Sequence, residues 1–345
     1  MKPVSASNLK SVLARLRAAL YELDEAELQR ALQASFAEQA ELHLCHPFGD
    51  LVGPQALFEQ AFSPLIRSFP DLERRDLILM AGQDDAGADW LGACGVYMGN
   101  FMAPFLAIPA TGSVARFRFH EFYRIEAGRI TEMQAIWDLP ELMMQAGVWP
   151  MGPSLGREGQ VAGPASQDGL TDHTDAALTA LSRQLVLEML ENMVRHPRAG
   201  GPEIMQLDKF WHPHFTWYGP AGIGTSRGIK GFRAFHQIPF LAGLPDRTAS
   251  IQAEERGHFF AQGPYVAATG WPNMQAHLSG DGWLGMIPAG QKITLRSLDF
   301  WRTEKGRIRE NWVLVDLLDV WQQLGVDVFR RMAECTPTGR INRLA

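Results

Sequence analysis

GRITEMQAIWDLPELMMQAGV, residues 128–148, lies without a gap over GRIRENWVLVDLLDVWQQLGV, residues 306–326. The offset is 178 residues, and Gly128/Gly306, Arg129/Arg307, Ile130/Ile308, Glu132/Glu310, Asp138/Asp316, Gln145/Gln323 and Gly147/Gly325 are identical. Unrelated segments of ordinary composition agree at roughly one position in seventeen, so this run marks an internal repeat. The match extends upstream. Arg124 and Arg302 stand four residues before the glycines, each behind an aromatic residue, Tyr123 or Trp301. Gly112 and Gly290 close IPATG and IPAG, and residues 53–71 and 228–246 share one spacing, ending in SFPDL and GLPDR.

A chain of 345 residues suggests about two domains. With 46% apolar and 20% charged residues it can bury a real core. The net charge of -6 and the lack of a dense Lys/Arg run argue against nucleic acid as a partner. Cys45, Cys94 and Cys335 are too few and too widely spaced for a disulfide framework or a zinc pattern. The first 20 residues lack the apolar core and small-residue cleavage site of a secretory leader. No stretch reaches the roughly 18–20 apolar residues of a membrane span. A reduced, cytoplasmic setting is the expectation. Residues 151–171 are rich in Gly and Pro without apolar period and read as a linker. The expected domains are 1–150 and 172–345.

Both copies open with helix. Leu9, Val12, Leu13, Leu16 and Leu20 recur at helical spacing, and Asp24 starts a second helix. In the second copy Asp175 opens a long helix ending near His196-Pro197. A short strand and a third helix follow in each copy, the helices over 54–69 and 229–240. The remainder reads as strands, ending in hairpins 114–125/128–138 and 293–303/306–316, with glycine at each turn. Helices first and strands last is an α+β order. The expectation is two tandem cone-shaped domains, each a curved antiparallel sheet wrapped around N-terminal helices.

Order and motifs together resemble the SnoaL-like polyketide cyclase family, of the nuclear-transport-factor-2-like fold. The second copy carries the resemblance in RGIKGFRAF, LPD, IPAG and FWRTEKGRIRENWVLVDLLDVWQQLG; the first in VGPQALF, SFPDL, FLAIPATG and FYRIEAGRITEMQAIWDLPELMMQAG. It covers nearly all of both copies. Two departures stand out. Gln134 replaces the family's Trp, present as Trp312, and the family's His, matched by His43, falls at Tyr218. The resemblance implies an acid/base aspartate in the final-strand motif that closes a ring by an aldol reaction without cofactor or metal. By motif that role falls to Asp316 and Asp138. Fold alone does not fix function.

Strand alternation gives candidate pocket groups. Ile293, Leu295, Ser297, Asp299 and Trp301 share one face; Ile308, Glu310, Trp312, Leu314 and Asp316 share another. If the more apolar face of each strand looks inward, Asp299 and Asp316 converge, matched by Glu121 and Asp138. Burial and a second carboxylate raise a carboxyl pKa, which suits proton abstraction beside a carbonyl. Tyr218, His43 or a Trp N–H could hold the resulting enolate. Trp312, Gln134, Trp217 and Trp301 complete the substrate-binding candidates. Plainer readings stand beside these. Each Asp before a last helix is a good N-cap. Asp299 and Glu121 could pair with a nearby Arg, and His236 could line the pocket mouth or pack. Trp217, Trp271, Trp283 and Trp312 could cage a ligand or fill a core. His212-Pro213-His214 lacks a third metal ligand, and GPAGIGTS lacks the lysine of a phosphate loop.

The leading expectation is a cofactor-independent enzyme of cyclase or isomerase type acting on a small apolar carbonyl compound. A non-catalytic binding protein for such a molecule is the second. A hydrolase using paired carboxylates and an Arg is the third. The copies are expected to pair as an internal pseudo-dimer, with a further homodimer left open.

Overall fold

The computed structural model describes residues 5–196, 199–249, 257–280, 283–288 and 290–336. Pro197 and Ala289, at the expected helix end and the IPAG turn, lie outside them. The chain forms two compact units. One is built from residues up to Ala81, Ala88–Met151 and the chain from Asp316; the other from Gly82–Gly87 and Gly152–Val315. These boundaries differ from the repeat. The final helices Leu317–Gln323 and Val328–Cys335 belong to the second copy by sequence but count with the first unit.

The first unit holds β1 (Phe36–Leu44), β2 (Gly49–Val52), β3 (Glu73–Gln83, whose last two residues count with the second unit), β4 (Asp89–Asn100), β5 (Val114–Glu126) and β6 (Arg129–Trp137). They order as β2-β1-β6-β5-β4-β3. The second unit holds β7 (Trp211–Tyr218), β8 (Ser226–Arg227), β9 (Thr248–Ala249), β10 (His258–Gln262), β11 (Tyr265–Thr269), β12 (Met274–His277), β13 (Lys292–Leu295), β14 (Ser297–Glu304) and β15 (Arg307–Val315). Its main sheet orders as β8-β7-β15-β14-β11-β10, beside a small β13-β12-β9 sheet. Each main sheet is mixed rather than wholly antiparallel, because β1 runs parallel to β6 and β7 parallel to β15. In both sheets the first strand follows a helix directly and lies beside the last, which requires a long crossover.

The turn glycines act as expected. Ala127-Gly128 and Lys305-Gly306 all have positive φ, from 48° to 78°, the backbone of a type I′ hairpin turn. Asp24 caps helix Glu25–Ser35 by accepting Glu27 N at 2.9 Å, and Asp175 caps helix Ala176–Met193 through Leu178 N at 3.0 Å. The third helix of each copy carries a π-helical turn at the same place, Phe58–Phe62 and Arg233–Gln237.

The copies part at one strand. β4 runs unbroken for 12 residues beside β5. Its counterpart is interrupted between β11 and β12 at Gly270–Asn273, where Pro272 has no N–H to offer the ladder. β13 and β14 separate at Arg296 opposite this break. The expected linker is also more than a tether, because residues 152–171 count with the second unit and hydrogen-bond to it. Gly156 N donates to Ile223 O at 2.9 Å, and Ala165 N donates to both oxygens of Glu310 at 3.2 Å. It covers one face of β15.

Candidate functional site

Register decides which side chains share a face. Across β14 and β15, Ser297 pairs with Val315, Asp299 with Val313 and Trp301 with Asn311. Directly opposed residues point to the same side of a sheet. All six line a cavity of ≈ 180 Å3 inside the second unit. That exceeds the roughly 150 Å3 of an apolar cavity that binds benzene. Met189 and Met193 of helix Ala176–Met193, Trp217 of β7, and Phe232, His236 and Phe240 of the third helix close its other walls. Two of its indoles sit against glycines. A Cβ at Gly219 would collide with Trp217, and one at Gly243 with Trp283.

Asp299 is the acid of this cavity. It is half-buried and lines the cavity. Ser297 Oγ donates to Asp299 Oδ2 at 2.9 Å, and Asn273 Nδ2 donates to Ser297 Oγ at 2.6 Å. Asn273 sits at the break between β11 and β12, so the interruption supplies the polar clasp. Burial pushes the Asp299 carboxyl up to about 7, and the Ser297 hydrogen bond opposes this only in part. His236 lines the same cavity, and burial pushes its imidazole down to about 3. Arg247 is also in the wall, but its Nη2 donates to the carbonyls of Met193 and His196 at 2.9 and 3.2 Å. That places its charge at a helix C-terminus, where cations are favoured.

Glu121 holds the matching place in the first unit, and its surroundings are the reverse. Both oxygens are engaged. Arg74 Nη1 donates at 2.6 Å, Tyr97 OH at 3.0 Å, Tyr123 OH at 2.5 Å and Trp137 Nε1 at 3.0 Å. Burial and the Glu121 charge hold the Tyr97 and Tyr123 hydroxyls far above the ordinary tyrosine range. Around this network Phe62, Tyr97, Phe117, Phe119 and Trp137 pack ring on ring, Trp137 lying 5.4 Å from Tyr97 and 5.6 Å from Phe62. The repeat and strand register place Gln237, Met274, Leu295, Ser297 and Val315 at the same positions of the second unit. Five rings become five smaller side chains. The position of Arg74, three residues past Pro-Asp, is Ala249.

Other expected site residues lie elsewhere. Inward convergence of Asp316 with Asp299 is not what the register gives. Asp316 falls on the other face, caps helix Leu317–Gln323 through Asp319 N at 3.2 Å, and accepts His46 N at 2.9 Å. Trp312 also faces away from the cavity, its Nε1 donating to Ala162 O at 2.8 Å and its ring stacked on Tyr218 at 5.3 Å. The physical reason is that segment 152–171 covers that face, so both faces of β15 are apolar and apolarity cannot sort them. Asp138 makes no side-chain cap. It meets Arg118 Nη2 at 3.2 Å instead. Gln134 bonds Glu132 at 2.7 Å, and His43 bonds Asp50 at 2.8 Å. Of the named residues, Asp299, Trp217, Trp301, Trp283 and His236 come together at the cavity; Glu121 is buried in the interior of the first unit. Arg302 pairs with Glu310 and Glu304, and Arg124 with Glu126 and Glu132. Strand alternation put Ser297 on the face of Asp299 without giving it a role, and it did not point to Asn273 or Asn311. The replacement of Phe119 by Ser297 at the 178-residue offset is the signal that could have given Ser297 its role. Among the described residues no group of three His, Cys, Asp or Glu could hold a metal, and no helix is long and apolar enough to cross a membrane.

The SnoaL-like polyketide cyclase family model matches the chain twice, over residues 11–146 and 199–324. The chain belongs to the SnoaL-like polyketide cyclase family. Solved structures similar to this tandem SnoaL-like chain include a candidate SnoaL-like polyketide cyclase from Jannaschia sp. CCS1, at 16% identity and a TM-score of 0.35, covering 40% of this chain and 91% of that one. AclR, a candidate hydroxylase from Streptomyces galilaeus, is 15% identical with a TM-score of 0.35, covering 41% and 98%. IdmH, a candidate polyketide cyclase from Streptomyces antibioticus, is 20% identical with a TM-score of 0.34, covering 40% and 98%. No curated protein matches the chain in sequence.

Proposed function

We propose that the second unit is a cofactor-independent acid/base site for a small apolar carbonyl compound, of cyclase or isomerase type, and that Asp299 is its base. One observation carries this reading. Asp299 is a carboxyl in an aromatic cavity whose hydrogen-bond donor is the neutral Ser297 hydroxyl, with its pKa pushed up to about 7. A base near neutrality is both ionised enough to act and basic enough to take a proton from carbon. In the step, an Asp299 oxygen takes a proton from the carbon beside the carbonyl. The C–H pair becomes the new C=C bond, and the carbonyl π pair moves onto oxygen. Collapse of that enolate onto a second carbonyl closes a ring; return of the proton to another carbon isomerises the compound.

A pure binding protein would tie its acids to caps or to arginine. The first unit does so at Glu121; the second does not at Asp299. A hydrolase needs an arginine free to orient water, and Arg124 and Arg302 are bound to glutamates. The test is exchange of the α-protons of 2-tetralone in D2O, followed by NMR. The parent should accelerate exchange over buffer, Asp299→Asn should not, and Asp316→Asn should behave as the parent. Acceleration surviving in Asp299→Asn would remove the base from the proposal.

A further inference from the structure

His236 is the side chain of the cavity that the acid/base reading leaves unused. It stands on the π-helical turn Arg233–Gln237, a geometry that recurs at functional sites. Its ring lies flat on Trp217, 4.0 Å away with planes 12° apart. Phe240 is stacked 5.5 Å away and Phe232 stands 5.4 Å away. Three rings therefore fix the imidazole plane. Nδ1 is covered and has no hydrogen-bond partner, and the half-buried ring lines the cavity that Asp299 lines. Burial holds the imidazole neutral at working pH, so it can donate from one nitrogen while carrying no charge. The fold of this turn does not demand it. At the same place in the first unit stands Ala61, fully buried. The indole nitrogens of Trp211, Trp283 and Trp301 also lack protein acceptors, but they are covered by their neighbours.

We infer that His236 is a second ligand-contacting residue of this cavity: its Nε2–H donates a hydrogen bond to the carbonyl oxygen of an uncharged, planar ring ketone while Asp299 faces the adjacent carbon. The inference rests on the acid/base reading of Asp299 and adds the electrophilic partner that reading lacks. The tautomer this contact requires carries the proton on Nε2, with the covered Nδ1 as the bare nitrogen. The proton stays there throughout; the hydrogen bond strengthens as charge gathers on the ligand oxygen. The flat ring stack favours a planar ligand. The carboxyl of Asp299 disfavours an anionic one.

The experiment uses the full chain and 2-tetralone labelled with 13C at the carbonyl. Its bound stretch is read by difference infrared spectroscopy in the parent, His236→Phe and His236→Gln, with circular dichroism confirming each fold. The expected result is a downshifted stretch in the parent, lost in His236→Phe with affinity weaker by about tenfold, the scale of one neutral hydrogen bond. His236→Gln, which keeps an N–H near Nε2, should retain the shift. An unchanged stretch in His236→Phe would assign the donor to another group and overturn the inference. No binding by the parent at millimolar 2-tetralone would overturn the ligand class. A downshift that depends on His236, with no Asp299-dependent proton exchange, would sink the acid/base reading and leave the His236 contact standing.

Discussion

The two interiors started from one pattern and arrived at opposite solutions. In the first unit a buried glutamate is locked by an arginine, two tyrosines and a tryptophan, inside packed aromatic rings. In the second the matching aspartate keeps one hydroxyl donor and faces a cavity. The difference is local chemistry, not topology. Removing Arg74 removes the countercharge, and trading Phe119 and Trp137 for Ser297 and Val315 removes the fill. A carboxyl without countercharge in an apolar space has a raised pKa, which is a cost to folding and a resource for proton transfer. On the acid/base reading proposed above, the first copy is a scaffold and the second the working site.

The largest expected effect tests that division by stability. Glu121→Ala leaves Arg74 only Asp76 as a countercharge and deprives the buried Tyr97, Tyr123 and Trp137 donors of their acceptor, and it should lower unfolding free energy by about 3–5 kcal/mol, whereas Asp299→Asn should leave chemical denaturation at pH 8 unchanged or shifted to higher denaturant. Equal losses from the two would erase the contrast. Next comes activity. Asp299→Asn should slow 2-tetralone exchange by about 100-fold or more. In the parent the rate should climb with pH and level off above about 7, because the base must be ionised.

The same shift predicts a stability slope. A carboxyl whose folded pKa is raised binds its proton more tightly when folded, so stability falls as pH rises from about 4 to about 7. Urea titrations across that window should show a shallower fall in Asp299→Asn. Some slope should remain, because burial and neighbouring Asp138 push Glu141 of the first unit up to about 7 as well.

A third test converts one interior into the other. Ser297→Phe with Val315→Trp should fill the cavity and abolish 2-tetralone binding by fluorescence titration. The fold should hold, since the first unit accommodates those rings at the same positions. Binding that persists would place the ligand elsewhere. The smallest effect belongs to Asp316→Asn. It should cost about 1 kcal/mol or less, the scale of a weakened helix cap, with no change in the pH profile of exchange. A shifted profile would return Asp316 to the chemistry.

Much of this was written in the chain itself. The 178-residue offset, the turn glycines and the helix caps at Asp24 and Asp175 are local signals, set by backbone sterics and short-range hydrogen bonds, and they gave the tandem α+β fold. The pairs Phe119/Ser297 and Trp137/Val315 were also there to be read. Their meaning was not, because alternation assigns residues to a face without saying which face encloses space. The register of β14 on β15 put Asp299 beside Val313 and turned Asp316 away. The packing of segment 152–171 made the outer face of β15 as apolar as the inner one. Whether a carboxyl meets an arginine or a cavity depends on groups distant in sequence, such as Arg74 near Glu121 and Asn273 near Ser297. Only the tertiary structure brings such groups together.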